Sequence, residues 1–267
     1  MIRDITVGQY YPVNSILHKT DARVKIAGSI LFIASLFIVN NTFGYVLVVL
    51  SLFSVIALSR VPVRFMLKGL KAIFLIIAFT ALINLFATKG RPLFNVFMFT
   101  VTYEGVFLAV KMCVRLILLI VGSSLLTLTS TPIELTDGIE SLLSPFKKIG
   151  VPSHEIAMMM TIALRFIPTL LDETDRIMKA QLARGADFET GSFVHRAKSL
   201  VPIIVPLFIS AFRRADELAM AMESRCYNGD NGRTRMKERK MDRTSVIAAV
   251  ILALYFALSI ASRFINI

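Results

Sequence analysis

Residues 26–59 read IAGSILFIASLFIVNNTFGYVLVVLSLFSVIALS, 34 consecutive positions without a charged side chain. A helix needs only about 20 apolar residues to cross about 30 Å of hydrocarbon, so a run of this length places the chain in a membrane. The run is interrupted at Asn40-Asn41-Thr42 and Gly44, which predicts a hairpin of two spans. Each arm holds about 15 to 17 residues, the lower limit for crossing. One tilted span with an interfacial segment is the alternative.

Composition agrees with that reading. Of 267 residues 55% are apolar and the mean hydropathy is +0.69, too high for an ordinary soluble domain and suited to a polytopic membrane protein. The net charge of +12 raises nucleic acid as a partner, but its distribution points away from one. Residues 1–130 carry +9, residues 131–243 carry +2, and Arg263 supplies the last unit, so most of the excess flanks apolar spans, as the positive-inside rule requires. Cys113 and Cys226 lie far apart and form no ligand pair. His154-Glu155 begins like a zinc-protease motif, but Met158 stands where the second histidine would be. No P-loop and no Gly-x-Ser-x-Gly elbow occurs, so the chain is not expected to be an enzyme and no cofactor is implied. The first 25 residues are mixed and polar, unlike a cleavable signal.

Working outward from the uncharged run, residues 1–25 read as a loop-rich cytoplasmic arm with Gly8, Pro12 and Asn14. On the other side Arg60, Arg64, Lys68 and Lys71 recur at helical spacing and share one face, meeting headgroups on the cytoplasmic side. A third span is expected over 72–87. Lys89 to Thr102 reads as a Gly-Pro turn and an alternating Phe/Val loop on the outer surface. A fourth span is expected over 103–129 and a last one over 245–262. Lys111 and Arg115 lie inside the fourth span at i and i+4, where charge is costly. They contact another membrane subunit or a loop of this chain, or they snorkel to outer headgroups.

From Thr131 both charge signs return in near balance, and the segment becomes amphipathic. Thr131 can cap a first helix over 132–148, with Glu134 in its first turn. Ser153 can cap a second that runs to Ala183, bent at Pro168. Asp172/Arg176 and Asp175/Lys179 form favourable i, i+4 pairs on its polar face, and Gly185 can take the left-handed position that ends it. A third helix over 193–227 repeats this plan, with bends expected at Pro202 and Pro206. Phe208, Phe212, Ala215, Ala219 and Met222 line one of its faces, where the alanines permit close approach of another helix.

Residues 172–185 (DETDRIMKAQLARG) and 213–226 (RRADELAMAMESRC) repeat one device, an amphipathic stretch that ends on a small residue followed by arginine. Arg184 and Arg225 are 41 positions apart, and at the same offset Asp175 matches Asp216 and Ala180 matches Ala221. A cation at a helix C-terminus is stabilised locally by about 0.3 to 1 kcal/mol, which accounts for either arginine alone. A matched pair needs more. A guanidinium presents a rigid fork of donors that suits a carboxylate or backbone groove, and two of them suit a partner with two equivalent grooves.

The Ala183-Arg184-Gly185 and Ser224-Arg225-Cys226 triplets resemble the paired Ala-Arg-Gly signatures of the transmembrane T component of energy-coupling factor (ECF) transporters. Gln181 before the first triplet and Met222-Glu223 before the second fit the likeness. Gly8-Gln9-Tyr10, Ser15, His18, Asp21 and Arg23 are similar to that family's first segment, and Leu164-Arg165-Phe166-Ile167-Pro168 matches in kind. Cys226 stands where glycine is usual and Ala22 where proline is usual.

The resemblance implies an all-α membrane protein of about five transmembrane helices plus a cytoplasmic module of amphipathic coupling helices. It divides the chain into an arm with transmembrane helices (1–130), the coupling module (131–243) and a last transmembrane helix (244–267). It implies a scaffold subunit of a vitamin or transition-metal importer in a prokaryotic cell membrane, with a cytoplasmic N-terminus. Two ATP-binding-cassette ATPase subunits would take the two triplets, chiefly Arg184 and Arg225, while a separate substrate-binding membrane subunit packs on apolar helix surfaces. The methionines at 158–160, 220 and 222 fit a surface that repacks against several partners, or ordinary core filling. A self-sufficient permease would need polar residues along a path through the spans, and beyond Asn84, Lys111, Arg115 and some Ser/Thr these are few.

Overall fold

A computed structural model of the chain describes residues 10–39, 41–96, 99–188, 190, 192–229 and 241–264. Gly8, Gln9, Asn40 and most of the basic connector after Gly229 lie outside them. The chain forms nine helices among these residues, with one short β-hairpin, and divides into two compact units.

The larger unit comprises residues 9–139 and 239–267. It holds α1 (Ile16–Lys19), α2 (Ala22–Ile38), α3 (Thr42–Ser59), α4 (Val63–Ala87), α5 (Tyr103–Thr129), the start of α6 (Pro132–Leu143) and α9 (Arg243–Phe264). The uncharged run of 26–59 is a helical hairpin, as expected. Val39, Val48 and Leu52 from it are buried with Leu36, Met66, Leu118, Val121, Leu125 and Leu128, so one apolar core ties α2, α3, α4 and α5 together. α3 ends at Arg60, which takes a left-handed φ of 55°. Arg60 therefore lies in the turn before Pro62 and off the helix face that holds Arg64 and Lys71.

α2 and α9 run side by side in the same direction. The Asp21 backbone N–H donates to Ser245 Oγ (3.0 Å), the Ser35 and Tyr255 hydroxyls meet at 2.7 Å, and Asn41 Nδ2 donates to the Ser262 carbonyl (3.2 Å). Within the expected arm, residues 10–25 are anchored rather than loose. Ser15 caps α1 and Asp21 caps α2, His18 bridges Ser15 Oγ and the Tyr11 carbonyl, and the Tyr11 N–H donates to the Leu128 carbonyl. Lys25, buried, donates to the carbonyls of His18 (3.2 Å) and Thr129 (2.8 Å). The caps at Ser15 and Asp21 thus sit among tertiary anchors.

The expected outer loop is an antiparallel hairpin, β1 (Pro92–Val96) with β2 (Phe99–Thr102), carrying a bulge between Pro92 and Phe94. Thr102 then caps α5, accepting from the Gly105 N–H at 3.1 Å. Lys111 and Arg115 face α3: Arg115 Nε donates to the Tyr45 hydroxyl (2.9 Å), and both cations lie over the Tyr45 ring, at 5.5 and 5.9 Å from its centroid. Their contact is with a helix of this same chain.

The smaller unit includes residues 140–238. Helix α6 stops at Leu143, short of the expected 148, because Pro145 disfavours helical backbone at Ser144; a 3₁₀ turn over Ser144–Ile149 follows, closed by Gly150 at φ 90°. Thr131 and Glu134 form the reciprocal capping box that opens α6. α7 (Ser153–Ala183) and α8 (Phe193–Glu223) have 31 residues each, about 46 Å. Ser153 does not cap α7; it is its first residue, with Pro152 at the cap position. Both helices run on through their prolines.

Among the described residues five helices are long and apolar enough to cross a membrane: α3, α5, α7, α8 and α9. They are six if the halves of α4, Val63–Lys71 and Ile73–Ala87, bent by 63°, count as one span. The number five matches expectation, but the set differs. α2, at 17 residues, spans only about 26 Å. The first halves of α7 and α8 qualify because their charges gather in the second halves.

Candidate functional site

The two arginine triplets close α7 and α8 with the same backbone hydrogen bonds, again offset by 41 residues. At the end of α7 the Gly185 N–H donates to the Leu182 carbonyl (3.0 Å) and the Ala186 N–H to the Gln181 carbonyl (3.0 Å). At the end of α8 the Cys226 N–H donates to the Glu223 carbonyl (2.8 Å) and the Tyr227 N–H to the Met222 carbonyl (3.1 Å). This is the Schellman arrangement, which requires a left-handed residue. Gly185 supplies it at φ 86°, and Cys226 adopts it at φ 55° despite its side chain. The departure from glycine thus leaves the cap in place. All six residues of the two triplets are exposed. Among the described residues neither the Arg184 nor the Arg225 guanidinium has a hydrogen bond or ion pair.

The arms that carry these tips are pinned to one another. Arg214 Nη2 of α8 donates to Glu173 Oε2 of α7 at 2.8 Å, with both side chains partly buried. Gln181 Nε2 of α7 reaches the Pro202 carbonyl of α8 at 3.5 Å. That carbonyl is open to an outside donor because Pro206, four residues on, has no N–H to offer it. From Glu173 to Gln181 the chain advances along α7 while the contact moves back along α8 from Arg214 to Pro202. The helices are therefore antiparallel where they cross, and the tips lie on opposite sides of the crossing. Eleven residues separate Glu173 from Arg184 and Arg214 from Arg225, so each arm extends about 16 Å beyond the pin.

Of the ion pairs expected on α7, Lys179–Asp175 forms (2.7 Å), whereas Asp172 and Arg176 are not paired. The pairing across the helices was not foreseen, although the offset of 41 held its signal. The proposed stripe of α8 is uncovered within the chain: Phe208, Phe212, Ala215 and Ala219 are exposed, and Met222 is half-buried. None of the methionines at 158–160, 220 and 222 is buried. Among the described residues no group of three His, Cys, Asp or Glu could hold a metal ion.

A family profile described as "cobalt transport protein", CbiQ, matches residues 13–237. The chain is 58% identical over 265 residues to the energy-coupling factor transporter transmembrane protein EcfT of Clostridium kluyveri, covering 98% of both chains. It is 54% identical over 265 residues to EcfT of Ruminiclostridium cellulolyticum, covering 99% of both. It is 47% identical over 255 residues to EcfT of Bacillus subtilis, covering 95% of this chain and 96% of that one. The chain belongs to the CbiQ/EcfT family.

A CbiQ/EcfT protein is a transporter's transmembrane component, and the apolar helices agree with a multi-pass membrane protein. The profile spans α7, α8 and both triplets, so the repeat falls within the part of the chain that defines CbiQ/EcfT membership.

Proposed function

We propose that the chain is the coupling subunit of an ECF-type importer of vitamins or transition-metal ions. Its α7 and α8 form a cytoplasmic coupling module within residues 131–243, between transmembrane helices in 1–130 and 244–267. The triplets Ala183-Arg184-Gly185 and Ser224-Arg225-Cys226 dock into equivalent grooves of two ATP-binding-cassette ATPase subunits, which supply the hydrolysis that this non-catalytic scaffold lacks. A separate substrate-binding membrane subunit packs on the uncovered apolar face of α8.

The observation that carries this reading is the pair of exposed, unpartnered arginines on identically capped helix ends, with arms of equal length beyond one pin. Arginines retained only to cap their own helices would need neither equal arms nor a matched partner. Approach of the two ATPases would draw on both tips and turn the helices about Glu173–Arg214, changing the angle at which their apolar first halves meet the rest of the transporter. Orientation follows from charge. α2 and α9 run parallel and both begin beside cations, Arg23 and Lys25 on one and Arg243 on the other, which supports a cytoplasmic side for these ends and for the N-terminus in a prokaryotic cell.

The test is co-purification of the ATPases with tip variants. A charge-assisted contact is worth about 1.5 to 3 kcal/mol, and two linked contacts reinforce one another. Arg184→Glu or Arg225→Glu alone should weaken retention, and the two together should abolish it. Both side chains are exposed and each reversal costs only a helix-end charge interaction of about 0.3 to 1 kcal/mol, so the double variant should stay folded in detergent with its thermal midpoint lowered by only a few degrees. Full retention of the ATPases by a folded double variant would reject the proposal.

A further inference from the structure

Beyond the Glu173–Arg214 pin the two arms match in length and in cap, but not in charge. Residues 174–185 of the first carry Asp175 against Arg176, Lys179 and Arg184, a balance of +2; residues 215–226 of the second carry Asp216, Glu217 and Glu223 against Arg225, a balance of −2. The contrast falls on matched faces. Arg176, Lys179 and Ala183, at i, i+3 and i+7, are exposed and lead into the first triplet, and at the offset of 41 Glu217, Met220 and Ser224 are exposed and lead into the second. Two residues before Arg184 and Arg225 stand Leu182 and Glu223, also exposed. Lys179 holds Asp175, whereas Arg176, Glu217 and Glu223 have no ion pair among the described residues. Helix stability does not explain the reversal: Glu223 is the last residue of α8, where the partial negative charge of the helix end disfavours a carboxylate.

We infer, on the coupling reading proposed above, that these flanking charges decide which ATPase subunit each tip takes. The arginines are common to both tips and cannot tell two grooves apart. Arg176 on one arm and Glu217 with Glu223 on the other can. They lie within about 10 Å of the triplets along the helices, about the reach of an exposed charge at 0.1 M salt, so the rim of a groove that receives a tip feels them. The first arm fits a groove with an acidic rim, and the second a groove with a basic rim. Two copies of one ATPase chain present identical rims and satisfy only one arm. The partner is therefore a pair of chains alike in shape and opposite in rim charge. Exchanging those two chains sets like charges against both arms at once, so the penalties of the two mismatches combine against the wrong orientation.

The test assembles the full chain in detergent with equal amounts of the ATPase chains that co-purify with it, each kind carrying its own tag. The photocrosslinking residue p-benzoylphenylalanine replaces Asp187 or Asn228, exposed residues three past each arginine and equivalent at the offset of 41. Position 187 should join one ATPase chain and position 228 the other, with a preference of about tenfold at about 0.05 M salt that falls severalfold at about 1 M. Arg176→Glu and Leu182→Glu, combined with Glu217→Arg and Glu223→Leu, reverse the sign of both arms and should exchange the two ATPase chains. Either half of that set alone should bring the preference close to parity. All four side chains are exposed, so the variants keep their fold. A complex with one kind of ATPase chain, equal crosslinking of both chains at each position, an assignment unchanged by the full exchange, or a preference unmoved by salt would each overturn the inference and leave the coupling reading standing. If the ATPases co-purify but neither position crosslinks to them, both fall.

Discussion

Glu173 and Arg214 are the same position in the two copies of the repeat, 41 residues apart, and they bind each other at 2.8 Å. Equivalent positions of the two copies thus meet where the antiparallel helices pack. The same offset of 41 relates Gly185 to Cys226 and Arg184 to Arg225, with matching cap hydrogen bonds at both ends. A partner with its own two-fold symmetry meets two similar tips at equal distances from its axis.

The two charges of this pair can be exchanged across the same contact. Glu173→Arg or Arg214→Glu alone places like charges across the crossing and should impair transport by the reconstituted complex. Combined, they restore opposite charges in the same geometry and should recover most of the loss. With side chains 33% and 23% exposed the pair contributes about 1 kcal/mol, so the thermal midpoint should move by only a few degrees. Uptake per ATP hydrolysed is the decisive readout. A double variant as impaired as either single one would show that the crossing does not depend on this contact.

Cys226 and Gly185 do the same work at different cost. A side chain in the left-handed region is disfavoured by about 1 to 2 kcal/mol, partly offset because glycine loses more freedom on folding. Cys226→Gly should therefore stabilise the second tip by about 0.5 to 1 kcal/mol. Gly185→Ala should loosen the first by a similar amount, through backbone strain alone, since a Cβ at Gly185 meets nothing within 4 Å. Amide hydrogen exchange at Tyr227 and Ala186 reads the two caps directly. Slower exchange at Tyr227 in Cys226→Gly and faster exchange at Ala186 in Gly185→Ala is the expected pattern.

The membrane class, the helical hairpin of 26–59 and the limits of α5 were legible because each rests on a local signal. α5 starts after a capping Thr102 and ends where charge returns past Thr131. The exposed tips were legible from their spacing. What could not be read was decided by contacts distant in sequence. Asp21, placed by sequence in a loop-rich arm, caps α2 and has its backbone N–H anchored 224 residues away at Ser245. Intrahelical rules suggested pairing Asp172 with Arg176, whereas its neighbour Glu173 pairs across the helices. Ser153 looked like a cap by type, but the proline before it takes that position and leaves Ser153 inside the first turn.

Tyr45 holds two cations with different parts of its side chain. Its hydroxyl accepts from Arg115, while its ring lies under Lys111 and Arg115. Tyr45→Phe keeps the ring and should cost about 1 to 3 kcal/mol, the worth of a hydrogen bond to a charged group. Tyr45→Leu removes the ring as well and should cost about 1 to 2 kcal/mol more. Thermal unfolding in one detergent should rank wild type above Tyr45→Phe and that above Tyr45→Leu. Equal midpoints for the two variants would assign no stabilisation to the ring.

The hydroxyl pair between α2 and α9 has a direction that the geometry determines. Ser35 Oγ carries one hydrogen, and its 2.7 Å contact with the Phe32 carbonyl uses it, so at the 2.7 Å contact between helices Tyr255 donates and Ser35 accepts. Tyr255→Phe removes the donor but leaves Ser35 bonded to its own helix, at a cost of about 1 kcal/mol. Ser35→Ala leaves the Tyr255 hydroxyl without its acceptor, beside a site where Ser35 is 0% exposed, and should cost about 1 to 3 kcal/mol. The smaller truncation is thus expected to be the more damaging. In the combined variant both groups are gone, so its loss should fall below the sum of the two; a fully additive loss would mean that the hydroxyls do not interact.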